Sequence, residues 1–222
     1  MESNKLSASL KIALVLDDYY PSSSGVSRSI QSQIDELSAM GHHVTLIAPE
    51  KNFTPPKNAE HIALKSVQPP GALKHTAILS STARIAKSIT KNHQFDVIHS
   101  QTDTGALILS ARIAKIQHIP HIHTFHTNMA GSVPNYTKPK MFAATIAYRL
   151  LAFKLHLIRR QKPIRTNSKD SIFNGCSHFG KSYWKSQALM ANAVDAIVTP
   201  SQYMLKYIQA ASPNKQFIKK SI

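Results

Sequence analysis

The sequence has few cysteines and few acidic residues. The first shortage excludes certain kinds of site, and the second indicates the charge of the partner. Its single cysteine, Cys176, leaves no intramolecular disulfide and no CxxC pair for a zinc ion. The chain has 11 Asp and Glu residues against 27 Lys and Arg residues, which gives a formal net charge of +16. This excess indicates an anionic partner or surface, although charge alone does not distinguish the phosphates of nucleic acid, lipid or nucleotide.

Long hydrophobic runs are also missing. The segment Ala143 to Ile158 is mostly apolar, but it carries Arg149 and Lys154 and is shorter than the roughly 20 residues needed to cross a bilayer. The stretch Met1 to Ser9 is polar and does not join a basic head to an apolar run, so no secretory signal is predicted. We therefore expect a cytoplasmic protein without a transmembrane helix.

Short apolar runs alternate with helical patterns along the chain. The predicted strands are Ile12 to Leu16, Val44 to Ala48, Phe95 to His99, Pro120 to Phe125 and Ala196 to Thr199, with a weaker one at His61 to Val67. Helical patterns lie at Val26 to Leu37, Gly71 to Asn92, Gly105 to Ile116, Lys185 to Asn192 and Ser201 to Ala211, and Arg159 to Gly180 is predicted to be a long loop. Parallel neighbouring strands need helical crossovers. The pattern therefore predicts an α/β fold, a single domain with a Rossmann-like doubly wound, mostly parallel sheet.

Ligands of such sheets bind at the carboxyl ends of the strands, so the residues that follow each strand are the candidates for a site. Four strand ends are DDYYPSSSGV, SQTDTG, HTN and PSQY. In the first of them Gly25 begins a helix, where free N–H groups and the helix dipole favour an anion such as a diphosphate. The alternative is a glycine that only lets the loop turn into the helix. Neither GxGxxG nor GxxxxGK[ST] occurs, which weighs against dinucleotide and P-loop sites.

The run HIHTFHT places three histidines on and beside one strand. His121 and His123 point to one face of the strand, and His126 lies at its carboxyl end. No carboxylate stands at a recognisable ligand spacing, so no metal site is predicted. His126 is placed to hydrogen-bond a hydroxyl or to carry charge near a reacting centre, whereas a structural histidine is the alternative from position alone.

Three segments in order resemble family-4 glycosyltransferases of the GT-B fold. They are KIALVLDDYYPSSSGVSRSIQSQIDELSAMGHHVTLIAP, then DVIHSQTDTGALILSARIAKIQHIPHIHTFHT within Phe95 to Thr127, and DAIVTPSQYMLKYI at Asp195 to Ile208. The TFHT and SQTD segments look most like the enzymes that glycosylate diacylglycerol or phosphatidylinositol lipids. The resemblance implies the N-terminal, acceptor-side lobe of a retaining enzyme that moves a sugar from a nucleotide sugar to an acceptor, here a membrane lipid.

The same resemblance implies roles for individual residues. Gly25 would contact the donor diphosphate, and His126, as the catalytic residue, would lie beside the transferred sugar. The acceptor-binding residues would be Asp17, Asp18, Thr102 and Asp103. Family members need no metal and no other cofactor, so positive charge and helix dipoles must stabilise the departing nucleotide diphosphate. The nucleotide-sugar lobe would follow Lys219 to Ile222, where this sequence ends, so we expect negligible transfer by this chain alone.

A basic helix and loop insertion is predicted at about residues 138–186. From Lys138 to Lys185 the sequence has eleven Lys and Arg residues and one acid, Asp170. On the membrane hypothesis this insertion rests peripherally on the anionic inner face of the cell membrane, and the residues that meet lipid headgroups are Arg149, Lys154, Arg159, Arg160, Lys162 and Arg165. The alternative is a packed helix followed by a solvated basic loop.

Two other functions share parts of this pattern. A non-catalytic module that binds a membrane or a partner protein would have the same fold. A nucleic-acid-binding protein is suggested only by the net charge, because the aromatic residues of the basic insertion are scattered without the arrangement of a known module. No nucleic-acid partner is therefore expected.

Overall fold

Apolar strands and amphipathic helices alternate in the computed structural model, which describes residues 8–69, 74–132 and 137–212. The strands are β1 Lys11–Val15, β2 His43–Pro49, β3 Glu60–Leu64, β4 Ser66–Val67, β5 Ile78–Leu79, β6 Val97–Ser100, β7 His121–Thr124 and β8 Ala196–Val198. The helices are α1 Gly25–Ala39, α2 Ala83–Asn92, α3 Gly105–Gln117, α4 Met129–Ser132, α5 Lys138–Arg159, α6 His178–Asn192 and α7 Gln202–Ala211. A 3₁₀ turn covers Ser171–Phe173.

Six of these strands form one parallel sheet in the order β3-β2-β1-β6-β7-β8. Strands β4 and β5 form a separate antiparallel pair. The strand order reverses between β1 and β6, which is the arrangement of a doubly wound sheet and leaves a crevice beyond the carboxyl ends of these two strands. The predicted α/β fold with a Rossmann-like, mostly parallel sheet is therefore confirmed.

Helices cover both faces of this sheet because successive residues of a strand point to opposite faces. In β1 and just beyond it, Ile12, Leu14 and Leu16 pack in the cluster that contains the apolar face of α1. The intervening Ala13 and Val15 pack with α2 and α3 on the other face. A third cluster joins α5, α6 and α7 to α3. The central strand β1 is therefore apolar on both sides, as its run of hydrophobic residues predicts.

Two predicted helices have different boundaries in the structure. The pattern from Gly71 to Asn92 becomes helical only at Ala83, because Ile78–Leu79 pairs as β5 with Ser66–Val67. Residues 71–73 of that prediction lie outside the described part of the chain. The helix predicted from Lys185 begins earlier, at His178, where the side chain of Ser177 caps it by accepting a hydrogen bond from the Gly180 N–H.

Helix α5 is longer than the segment Ala143 to Ile158 that the sequence indicated, so the length argument against a membrane span was wrong. An 18-residue window within Pro139–Arg159 has a mean hydropathy of 1.4, so this helix is long and apolar enough to cross a membrane, by length and composition alone. One face of the helix nevertheless packs into the folded core through Tyr148, Ala152 and Leu155. In this fold α5 is a packed helix that leaves its other face open.

Candidate functional site

Polar residues from the carboxyl ends of β1, β6 and β7 meet at one edge of the sheet. The backbone N–H of Asp17, beyond β1, donates to Thr102 Oγ1, beyond β6, at 2.9 Å. The side chain of His126, beyond β7, lies 2.9 Å from Gln101 Oε1, also beyond β6. The topology thus brings together three of the four strand ends singled out in the sequence, at the point where the strand order reverses. In the fourth, Ser201 caps α7.

The carboxylate of Asp17 joins three elements below this edge. One oxygen accepts hydrogen bonds from the backbone N–H groups of Leu79 and Ala106, at 2.8 and 3.0 Å. The other accepts from the hydroxyls of Thr102 and Thr104, at 2.8 and 2.6 Å. Burial raises the pKa of Asp17, although these four donors oppose the rise. With its carboxylate occupied and the residue only 2% exposed, Asp17 holds this junction together with the half-buried Thr102, and the acceptor-binding role of both residues stays a prediction.

Gly105 is required at the start of α3 because the chain passes close to Asp17 and β5 there. A Cβ atom at this position would lie 2.3 Å from the Leu79 carbonyl oxygen and 2.7 Å from Asp17 Oδ1. Sequence reasoning missed both Thr104 and Gly105 as members of this junction. The only signal was the small, polar TDTG run between β6 and α3.

Asp18, the residue after Asp17, lies near His75 and near Ser24 in the loop before α1. Its carboxylate oxygen is 3.9 Å from His75 Nε2, and the His75 side chain is half-buried. Burial raises the pKa of Asp18, and His75 and the Ser24 hydroxyl oppose that rise. The acceptor-binding role of Asp18 likewise stays a prediction.

The start of α1 has the features of an anion site. Ser24 caps the helix by accepting from the Ser27 N–H, and its backbone is extended. A Cβ atom added at Gly25 would meet no atom within 4 Å, so this exposed helix start has open space around it. Open space beside a helix N-terminus suits a phosphate group. The donor-diphosphate role of Gly25 stays a prediction that this geometry fits.

His126 is held by a row of amide side chains. The Gln101 amide nitrogen donates to Gln33 Oε1 at 2.9 Å, so its oxygen faces His126, and Nε2 of His126 is the donor in the contact between them. Burial, followed by the neighbouring His123, lowers the pKa of His126. In a neutral imidazole with Nε2 protonated, Nδ1 is free of a proton. It can therefore accept a hydrogen bond from a hydroxyl group of a sugar or of the acceptor substrate.

The other histidines of the HIHTFHT run belong to a buried polar chain. Ser100 Oγ lies 2.8 Å from both His121 Nε2 and His123 Nδ1. On its other side His123 Nε2 is 3.1 Å from Asp103 Oδ1, and the second oxygen of Asp103 accepts from the Tyr148 hydroxyl of α5. These contacts occupy both ring nitrogens of His123. No sequence pattern pointed to Ser100 or Tyr148 as partners of this chain.

Acid is expected to destabilise the fold through His121, which is completely buried. Burial, and then the neighbouring His123, holds its pKa well below 6.5. Because the pKa is lower in the folded state, His121 contributes stability above about pH 6.5 that is lost as the pH falls toward the folded value. The free energy of unfolding should fall by up to about 1.4 kcal/mol per pH unit for this one group. Urea unfolding at pH 7, 6 and 5 gives the free energy of unfolding at each pH. This free energy should fall less steeply with decreasing pH in His121→Gln than in the wild-type chain, and an equal fall in both would contradict the prediction.

The predicted membrane-binding residues do not all share one surface. Arg149, Lys154, Arg160, Lys162 and Arg165 are exposed. Arg159 differs, because its guanidinium donates to both carboxylate oxygens of Asp195 at 3.0 and 2.8 Å, and its side chain is only 12% exposed. Arg159 therefore ties the end of α5 to the start of β8 and does not present its charge to an outside surface.

An apolar stripe runs along the open face of α5. Its five side chains follow helical spacing and are each 44–63% exposed: Phe142, Ile146, Leu150, Phe153 and Leu157. With about 3.6 residues per turn, Arg149 lies on one flank of the stripe and Lys154 on the other. The sequence has no Asp or Glu between residues 138 and 169. The open face of α5 is therefore apolar along its centre and positively charged along its margins.

These features place the chain in the doubly wound α/β class, with polar strand ends, an open helix start and a histidine beside the switch point. More narrowly, the chain belongs to Glycosyltransferase Family 4, whose sequence pattern it matches over residues 23–216. The family resemblance predicted from the three segments is confirmed.

Curated relatives support the narrower likeness to lipid glycosyltransferases. The chain is 31% identical over 148 residues to the alpha-monoglucosyldiacylglycerol synthase of Streptococcus pneumoniae, which covers 66% of this chain and 33% of that protein. It is 27% identical over 153 residues to the enzyme of the same name from Acholeplasma laidlawii, covering 66% and 37%. It is 26% identical over 131 residues to the GDP-mannose-dependent alpha-mannosyltransferase of Mycolicibacterium smegmatis, covering 57% and 35%. The chain thus spans about a third of the length of the curated relatives it matches.

Proposed function

We propose that this chain is the acceptor-side lobe of a retaining glycosyltransferase that transfers a sugar from a nucleotide-sugar donor to a membrane lipid. The observation that carries the proposal is α5, which exposes an apolar stripe flanked by Arg149 and Lys154 while its opposite face reaches the strand-end site through Tyr148. The names of two relatives, both alpha-monoglucosyldiacylglycerol synthases, favour a diacylglycerol-type acceptor.

Membrane attachment follows from the two kinds of side chain on α5. Apolar side chains of an interfacial helix enter the boundary between headgroups and acyl chains, and the basic side chains beside them meet anionic headgroups. The anionic inner leaflet of the cell membrane attracts such a surface by about 1 kcal/mol for each Lys or Arg close to it. The exposed cations Arg160, Lys162 and Arg165 follow the helix directly and extend the same positive surface.

The lobe's contribution to transfer would come from its strand ends and its helix start. The open N-terminus of α1 at Gly25 would face the donor diphosphate, and its N–H groups and dipole would stabilise negative charge there without a metal or other cofactor. The neutral imidazole of His126 would accept a hydrogen bond from the transferred sugar through Nδ1. Asp18 and Asp103 would border the acceptor.

Vesicle sedimentation tests the membrane part of the proposal. In moderate salt, the purified chain should bind phosphatidylcholine vesicles containing phosphatidylglycerol at least tenfold more tightly than phosphatidylcholine alone. Raising the ionic strength should weaken this binding, because the exposed charges are screened. An oligonucleotide at the same phosphate concentration is the control. A chain that binds neither vesicle, or prefers the oligonucleotide, would contradict the proposal.

A further inference from the structure

Asp103 lies at the carboxyl end of β6, and its two oxygens are held from different directions. Oδ1 accepts from His123 Nε2 at 3.1 Å, and Oδ2 accepts from the Tyr148 hydroxyl of α5. The side chain is 11% exposed, so the carboxylate is mostly enclosed but not fully buried. Each oxygen of a carboxylate has two lone pairs. A carboxylate held in this way can accept a further hydrogen bond from a ligand.

The hydrogen bonds behind Asp103 fix the direction of every proton in the chain. Because His123 Nε2 donates to Asp103, His123 Nδ1 is the acceptor for the Ser100 hydroxyl. Ser100 Oγ then accepts from His121 Nε2, which lies inside the sheet. His121, Ser100 and His123 are all 0% exposed. The carboxylate is therefore set in one orientation by partners that have no freedom to turn.

Tyr148 brings this site into contact with the helix that carries the apolar stripe. It lies on the buried face of α5, where its ring is 5.4 Å from that of Tyr183, and burial together with the Asp103 charge raises its pKa well above 10. The stripe residues Ile146 and Leu150 flank it in sequence and point the other way. The Arg159–Asp195 ion pair holds the far end of the helix at the amino edge of the sheet.

The direction of α5 places its first part beside the crevice. Arg159 reaches the amino edge of the sheet, and Tyr148, about 16 Å back along the helix, reaches the carboxyl edge. The residues before Tyr148, including Phe142 and Ile146 of the stripe, therefore extend past the strand ends. The same part of α5 therefore carries stripe residues on its open face and, on its packed face, the Tyr148 hydroxyl that contacts Asp103.

We propose that Asp103 receives the free hydroxyl of the lipid acceptor, and that Tyr148 is the positioning residue that joins this carboxylate to the lipid-facing helix. The inference rests on the proposed function. A hydrogen bond from the hydroxyl to the carboxylate turns the oxygen lone pairs of the acceptor toward the donor side of the crevice. The hydrogen bond from Tyr148 to the second oxygen of Asp103 fixes the position of this carboxylate relative to α5, and therefore relative to the membrane surface on which α5 lies.

The test compares two lipids that differ only at this hydroxyl. Vesicles of phosphatidylcholine and phosphatidylglycerol are prepared with 1,2-diacylglycerol or with its 3-O-methyl ether, and binding of the full chain is measured by sedimentation. The wild-type chain should bind the diacylglycerol vesicles about tenfold more tightly, since hydrogen bonds to charged groups are among the stronger ones. Asp103→Asn should remove this preference, and Tyr148→Phe should reduce it to about threefold; the quantity compared is the ratio of binding to the two lipids within each variant.

The outcomes separate this inference from the proposed function. Failure of the wild-type chain to bind any vesicle overturns the membrane-lipid function itself. Equal binding to both lipids overturns the hydroxyl site and leaves membrane attachment standing. A preference that survives in Asp103→Asn assigns the hydroxyl to another residue, and one that is unchanged in Tyr148→Phe removes the positioning role of Tyr148.

Discussion

Replacing Asp17 with alanine is expected to lower the free energy of unfolding by about 4 kcal/mol, because two buried backbone N–H groups lose their acceptor at roughly 2 kcal/mol each. Those groups belong to Leu79 in β5 and Ala106 in α3, and one carboxylate oxygen accepts both of their hydrogen bonds. The hydroxyls of Thr102 and Thr104 lose their acceptor as well. Urea unfolding followed by the fluorescence of Trp184, the single and fully buried tryptophan, measures the loss.

The matched control is Asp17→Asn, which keeps one oxygen for the two N–H groups and carries no charge. Burial raises the pKa of Asp17, so the carboxyl group stabilises the fold most below its unfolded pKa, and this contribution is lost as the pH rises through the folded pKa. The stability of the wild-type chain relative to Asp17→Asn should therefore decrease from pH 4 to pH 7. An Asp17→Ala chain within about 1 kcal/mol of the wild type at pH 7 would show that the junction is not needed.

The sheet could be predicted from the sequence because its central strands β1 and β2 are mostly apolar and buried on both faces. Runs such as Ile12 to Leu16 are apolar at every position, and glycine or proline marks the turns between them. The boundaries that were missed depend on distant partners. Strand β5 forms only because it pairs with β4 and its Leu79 N–H meets Asp17, an interaction across 62 residues of sequence. The local sequence pattern predicts a helix there because it contains no information on this distant strand pairing.

The location of the candidate site, at the residues that follow the strands, could be predicted from the sequence. The role of each individual residue could not. Adjacent aspartates at the end of β1 cannot be told apart by pattern, and the hydrogen-bond partners of the Asp17 carboxylate lie 62 to 89 residues further along the chain. The basic residues of α5 show the same limit. Both Arg159 and Arg149 are basic residues of α5, and only the position of Asp195 before β8 gives Arg159 an ion-pair partner.

The proposal for α5 makes its largest prediction at two stripe residues that lie outside the hydrophobic core clusters of the described chain. Phe153 and Leu157 are 54% and 63% exposed, so changing both to serine leaves the packed face of α5 intact. On a membrane each loses most of the roughly 1.5–3 kcal/mol that burial of such a side chain contributes. The double variant should therefore bind vesicles containing phosphatidylglycerol about a hundredfold more weakly, a loss of about 3 kcal/mol.

The control for this variant is Val67→Ser, which removes an apolar side chain that is 68% exposed on β4 and lies off the stripe. It should bind vesicles as the wild type does, and both variants should keep the wild-type unfolding midpoint in urea, since neither change touches the core. Salt also distinguishes the electrostatic attraction of α5 to the membrane from the burial of its apolar side chains. High ionic strength should weaken the attraction of Arg149 and Lys154 in every variant, whereas the loss from the serine changes should persist. Equal vesicle binding by the double variant and the wild type would mean that the stripe does not enter the membrane and that the basic side chains alone hold the lobe there.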